Sequence, residues 1–131
     1  AQAESPEYRK LPPMDRLRVF EAAASLCGRD DARLLVSEDG GQLTGLLAAV
    51  RLEMFFTGTF FVSDLCMAVT PGHRGRGAGE ALLRAMEAWG RTVGAASFRP
   101  GVSSGLRPEA AARWLGRQGY RPCGLMMEKA L

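Results

Sequence analysis

The sequence predicts an α/β (α+β) fold, because segments of helical and strand period follow one another in the order α-β-β-β-α-β-α-β. Two local features support that order. Glu38 to Gly41 carries Asp-Gly hairpin chemistry between two strand-like runs. The nearly continuous apolar run Phe61 to Val69 has the character of a central strand, and a glycine-rich turn and an amphipathic helix follow it.

Each element has a local reason. Ala1 to Pro13 is polar with three prolines and is expected to wrap the surface. From Met14 to Cys27, Leu17, Phe20, Ala24 and Cys27 recur at helical spacing, with Asp15 as N-cap and Gly28 as stop. Ala32 to Val36 reads as a short strand and Gln42 to Met54 as a longer one containing Gly45. Phe55 to Phe60, with Gly58, is expected to turn, and Ser63 and Asp64 interrupt the central strand. In the helix Ala81 to Trp89, Leu82, Met86 and Trp89 share one stripe, while Glu80 with Arg84 and Glu87 with Arg91 form i,i+4 pairs on the solvent side. Gly94 ends this helix and Ala95 to Arg99 is a strand. Pro100 to Gly105 is a loop of small residues, and Pro108 to Gln118 a second helix with Gly119 past its end. Tyr120 to Leu131 is expected to give one or two final strands.

At 131 residues the chain is expected to be a single domain, residues 1–131, with a real core. No apolar run is long enough to cross a bilayer, and Ala1 to Lys10 has no signal-peptide pattern. The charge of +3 allows an anionic ligand without demanding nucleic acid, and the arginines are dispersed rather than interleaved with aromatics. Lysine occurs only at Lys10 and Lys129, a bias that fits genome composition as well as phosphate binding. Cys27, Cys66 and Cys123 are odd in number and lie in apolar company, which reads as reduced, mostly buried thiols in a cytoplasmic protein. The only histidine, His73, has no evident partner, and no metal-ligand spacing exists.

The most informative segment is Val69 to Gly79, where Gly75, Gly77 and Gly79 alternate with Arg76 and Ala78 directly after Arg74. A strand, a glycine turn and a helix form a place to hold phosphate: main-chain N–H groups converge there and the helix adds the positive end of its dipole. Two familiar phosphate loops do not fit. A Walker A loop needs a lysine, and none is near. A dinucleotide fingerprint started at Gly75 or Gly77 places Glu80 or Leu82 where its last glycine belongs.

The spacing that fits is Arg74-x-x-Gly77-x-Gly79 after Val69-x-Pro71. Here the chain resembles the GNAT superfamily of N-acetyltransferases, whose pyrophosphate loop reads Arg/Gln-x-x-Gly-x-Gly/Ala after a strand ending in Val-x-Pro. The resemblance extends over the element order to the Gly119-Tyr120 pair and the segment Met126 to Leu131. It implies a mixed, mostly antiparallel sheet, splayed at a coenzyme A cleft and flanked by helices. It departs at the start: members usually open with a strand before the first helix, and none is visible here. With no initiator methionine either, the native N-terminus is expected to be missing or shortened.

The resemblance implies direct transfer of an acetyl group from acetyl-CoA, the cosubstrate, to an amine on a small molecule or protein. No metal, nucleic-acid or membrane partner is expected from the residues, and the resemblance leaves a homodimer open. Amides from Arg74 through Gly75, Arg76, Gly77 and Ala78 to Gly79 would face the diphosphate, with Arg74 and Arg76 adding charge. Main-chain groups of Met67, Ala68 and Val69 would pair with the pantetheine arm like an added strand, one amide facing the thioester oxygen. The amine must lose a proton, and a carboxylate is the usual helper. Asp64, interrupting an apolar strand, is the first candidate and Glu53 the second. Asp64 reads equally as a strand polar residue satisfied by a neighbour. The family's usual acid is a tyrosine four residues before the Gly-aromatic pair; Leu115 stands there, and Pro108 replaces an asparagine often found earlier. Thiolate would then leave unassisted, or be protonated by water, Ser103 or Ser104. An alternative is a CoA-binding module with reduced or lost catalysis.

Trp89 and Trp114 read as packing residues and His73 as solvent-exposed. Phe55, Phe56, Phe60 and Phe61 read mostly as core or sheet edge, with part available to an acceptor pocket or a dimer contact.

Overall fold

The computed structural model describes residues 15–101 and 107–131. Its elements are α1 (Arg16–Cys27), β1 (Ala32–Asp39), β2 (Gln42–Glu53), β3 (Phe60–Val69), a short 3₁₀ turn (Pro71–His73), α2 (Ala78–Thr92), β4 (Ala95–Arg99) and α3 (Pro108–Arg117). The sheet order is β1-β2-β3-β4. The β1/β2 and β2/β3 pairs are antiparallel, whereas β4, which follows the α2 crossover, runs parallel to β3. This is the expected mixed, mostly antiparallel sheet flanked by helices.

Local chemistry explains the turns. Gly40 and Gly41, at φ of 58° and 81°, connect β1 to β2 opposite the Asp39–Gln42 pair. Positive φ at both positions is what a tight hairpin requires. The Asp15 carboxylate accepts from the amides of Leu17 and Arg18, so it caps α1 as predicted. Gly45 permits close packing: a Cβ there would stand 2.8 Å from Ser37 Oγ and 3.0 Å from the Ala68 carbonyl oxygen.

The core lies between the sheet and α2. Leu82, Leu83, Met86 and Trp89 of α2 pack on Leu47 and Ala49 of β2 and Val62 of β3, and Leu115 of α3 joins them. The predicted stripe Leu82–Met86–Trp89 is therefore the buried one.

Several expectations fail for identifiable reasons. β1 runs three residues past Val36, because the tight Gly40–Gly41 turn lets the ladder continue to Asp39. α2 begins at Ala78 rather than Ala81, because Gly77 in the left-handed region already serves as its N-cap. The i,i+4 pairs give way to an i,i+3 pair between Arg84 and Glu87 at 2.7 Å. Glu80 instead accepts from Trp114, and Arg84 also reaches the Gln118 carbonyl oxygen.

No strand forms after Tyr120, and residues 121–131 are exposed. Cys27, Cys66 and Cys123 are exposed, not buried. α1 keeps its helical period yet has no buried residue, with Leu17 66% and Phe20 70% exposed. Phe55 and Phe56 project from the β2–β3 turn and touch only edge to face, rather than joining the core. Phe60 and Phe61 are sheet residues lying under the Arg51 and Arg99 guanidiniums, each 4.2 Å from the ring centre. The expected N-terminal wrap, the absent first strand, and Ser103 and Ser104 fall outside the described residues.

Candidate active site

β3 and β4 pair only from Phe60 to Ser63, the last match being Ser63 with Arg99. Beyond Ser63, β3 continues to Val69 against β2 alone among the described residues. A bulge helps set this divergence: Asp64 faces Ala49 and Cys66 faces Ala48, so Leu65 is an extra residue on β3. Met67, Ala68 and Val69 lie on the separated length, opposite Leu47, Leu46 and Gly45. The two strands part after Ser63.

Asp64 sits at the parting point. Its Oδ1 accepts the Gly101 amide at 2.9 Å, bridging β3 to the chain just after β4. Burial pushes its carboxyl above the usual range, while the hydrogen bonds from Gly101 and from its own backbone work against that shift. Glu53 is not brought to the same place. It faces Phe60, at the opposite end of β3 from Val69.

The glycine turn follows Val69 at once. Thr70 donates its amide to the Thr44 carbonyl oxygen at 2.8 Å, which fixes the exit of β3. Gly75 and Gly77 take φ of 75° and 88°, the region that favours glycine. A Cβ at either would meet no heavy atom within 4 Å. Gly77 caps α2 without any side-chain hydrogen bond. The first turn of α2, at Ala78, Gly79 and Glu80, thus presents its amides with no side-chain acceptor from the cap.

Gly79 has a different reason from the other two. A Cβ there would be 3.0 Å from the Trp114 ring and 3.6 Å from Met67 Cε. Its smallness serves helix packing, which the alternating Gly pattern hides.

The basic side chains divide. Arg74 Nε donates to the Val69 carbonyl oxygen at 3.1 Å, so this guanidinium turns back along the strand exit. Val69 C=O is therefore engaged within the chain. Arg76 is exposed. His73, expected at the solvent rim, is tied down: its Nδ1 shares a hydrogen bond with Thr70 Oγ1 at 2.8 Å, and Nε2 stands 3.9 Å from Asp39 Oδ2.

Two hydroxyl questions are answered by burial. Leu115 is 9% exposed and belongs to the core, so that position holds an apolar side chain. Tyr120 packs edge to face on Phe98, with ring centres 6.0 Å apart, and its buried Oη has no hydrogen-bond partner among the described residues. Burial and the neighbouring Glu87 carboxylate push its phenol well above the ordinary value. Tyr120 lines a pocket with Glu87, Gly90, Arg91 and the β4 residues Ala95 to Phe98.

Residues 1–105 match the sequence profile of the Acetyltransferase (GNAT) family. The chain belongs to that family. The fold agrees with solved GNAT structures. An aminoglycoside acetyltransferase from an uncultured soil metagenomic sample superposes with a TM-score of 0.73 at 22% identity, covering 95% of this chain and 79% of that one. AAC(6')-Iy, solved in complex with the bisubstrate analogue CoA-S-monomethyl-acetylneamine, gives 0.79 at 15% identity over 92% and 82% of the two chains. Glucosamine-6-phosphate N-acetyltransferase from Arabidopsis thaliana gives 0.70 at 17% over 86% and 74%. No curated protein matches the sequence. The GNAT profile ends before α3, so Trp114, Leu115 and Tyr120 lie beyond the matched segment.

The residue that sequence reasoning left out of the site is Trp114. It was read as packing alone, yet it donates to Glu80 in the first turn of α2. A helical tryptophan gives no sequence signal for a partner on a helix more than thirty residues away.

Proposed function

We propose that this GNAT chain moves an acetyl group from acetyl-CoA to an amine by direct transfer. The observation that carries the reading is the separation of β3 from β4 at Asp64, leading into a helix start whose cap offers no side-chain acceptor. Both features suit the ligand: a strand edge that β4 does not cover for an amide-bearing arm, and the first-turn amides of a helix for a diphosphate. The residues that would hold it are Met67 and Ala68 along the edge, Val69 through its amide side, and Arg74, Gly75, Arg76, Gly77, Ala78 and Gly79 around the turn.

Acetyl-CoA brings the activated thioester; the chain supplies orientation and proton handling. Asp64 serves as the base, directly or through water, because burial gives its carboxylate more appetite for a proton than an exposed one has. Oδ1 is held by Gly101, which fixes the carboxylate at the point where the strands separate. Glu53 is not part of this proposal, since the register sets it at the far end of the strand. An amide on the separated length of β3 would steady negative charge on the thioester oxygen. Acceptors are small amine-bearing molecules of the class handled by proteins of similar fold, which include aminoglycosides and an aminosugar phosphate.

A second reading is favoured by one observation. Leu115, standing where the family's acid is expected, is a core residue with no hydroxyl. A chain of this kind that binds acetyl-CoA without transferring the acetyl group fits that replacement. Thermal-shift titration with acetyl-CoA followed by thiol release over an amine panel separates the two. Stabilisation by ligand with thiol release supports transfer. Stabilisation with no release from any amine leaves only the binding reading, and no stabilisation removes both.

A further inference from the structure

Glu80 occupies the third position of α2, counted from the Gly77 cap. A glutamate there ordinarily folds back onto the amide of the cap residue and satisfies it. In this chain it does not. Glu80 Oε1 accepts the indole N–H of Trp114 at 3.0 Å, across to α3. The same ring covers Gly79, where a Cβ would come to 3.0 Å and 3.2 Å of its edge. Trp114 thus holds both the second and third residues of the first turn.

We propose that Trp114 is a positioning residue for the diphosphate site: by engaging the Glu80 carboxylate it keeps that anion off the amide of the Gly77 cap. This rests on the acetyl-CoA reading above. The argument is electrostatic. The amides of the turn and the positive end of the helix dipole attract any nearby anion. Glu80 is the closest carboxylate in sequence, and as part of the chain it competes at high effective concentration. Released from Trp114, its carboxylate would take the Gly77 amide and place a negative charge where the diphosphate must sit. The Trp114 hydrogen bond lowers the proton affinity of Glu80, and so does the bond from its own amide, which holds the carboxylate beside the third position of the helix rather than at the cap. α3 therefore contributes to ligand affinity without touching the ligand.

The test is a rescue. Trp114→Phe keeps a ring over Gly79 and removes only the donor. Its acetyl-CoA dissociation constant and KM are expected to rise about tenfold, with kcat little changed. Adding Glu80→Gln to Trp114→Phe removes the competing charge and is expected to restore most of that affinity. A double variant as weak as Trp114→Phe alone would make the tryptophan merely structural and overturn the proposal. Unchanged affinity in Trp114→Phe would do the same. Failure of the wild-type chain to bind acetyl-CoA would instead strike the underlying reading, so the two failures are distinguishable. Should Trp114→Phe not fold, the wild-type chain still decides: the Trp114 indole proton must remain protected from solvent exchange with acetyl-CoA bound. Rapid exchange in the complex would show that the ligand breaks the contact, against the proposal.

Discussion

Asp64 accepts the amide of Gly101 at 2.9 Å across the point where β3 and β4 separate. One carboxylate thus bridges β3 to the chain just after β4, where the two strands separate. In the proposed reading the same group is also the base, and substitution can part the two roles.

Asp64→Asn keeps an oxygen for Gly101 but removes the base. The transfer rate is expected to fall about a hundredfold. Because burial raises the Asp64 pKa, the wild-type rate should climb as pH passes through that raised value, and the variant should lose this limb. Stability runs the other way. The folded state holds the proton more tightly than the unfolded chain. The Asp64 contribution is therefore fully present below the ordinary carboxylate pKa and is lost as pH rises through the raised one. The variant escapes that loss, so its neutral-pH melting temperature should match or exceed wild type. Melting and rate profiles over pH check both halves.

Gly77 and Gly79 should respond differently to the same replacement. Alanine at Gly77 meets open space, so only the left-handed backbone resists, at about 1 kcal/mol. Alanine at Gly79 drives a methyl against Trp114, and a larger residue there should cost about 1–3 kcal/mol by overpacking. Denaturant melts should therefore rank a Gly79→Val variant well below Gly77→Ala. Both should weaken acetyl-CoA, Gly77→Ala by distorting the turn itself.

Leu115→Tyr places the family's usual hydroxyl at its usual position. Leu115 is a core residue packed with α2, so the larger ring should destabilise the fold by about 1–3 kcal/mol. Thiol release should not rise, because the side chain at 115 is directed into the core. A faster enzyme would show that a hydroxyl there can reach the leaving sulfur.

The three cysteines offer an independent check on the fold. All are exposed, so a thiol reagent should modify all three without denaturant. Cys66 should react most slowly at a given pH, since partial desolvation of its sulfur, although the residue as a whole is exposed, together with the nearby Asp64 charge raises its pKa and thins the thiolate. Mass spectrometry of the partially modified chain reads the order.

What was legible in the sequence was what local chemistry decides. The Asp15 cap, the Asp-Gly hairpin, the Leu82–Met86–Trp89 stripe and the left-handed Gly77 follow from side-chain periodicity and backbone freedom. The splayed strand and its open edge came from the resemblance, because pairing between β3 and β4 is a non-local matter. What escaped depends on partners distant in sequence. Helical period predicted α1 but not that its apolar face stays exposed. Glu80 faces Arg84 in any helix, yet the Trp114 indole outcompetes it. Tyr120 packs on Phe98, whereas the strand-like composition after it does not produce a strand.

The most direct measurement is a backbone amide chemical-shift titration with acetyl-CoA. The account predicts saturable shifts at Gly75 to Glu80 and at Met67 and Ala68, with Glu53 and its neighbours unmoved. Saturable shifts centred elsewhere, or none at millimolar ligand, would contradict it.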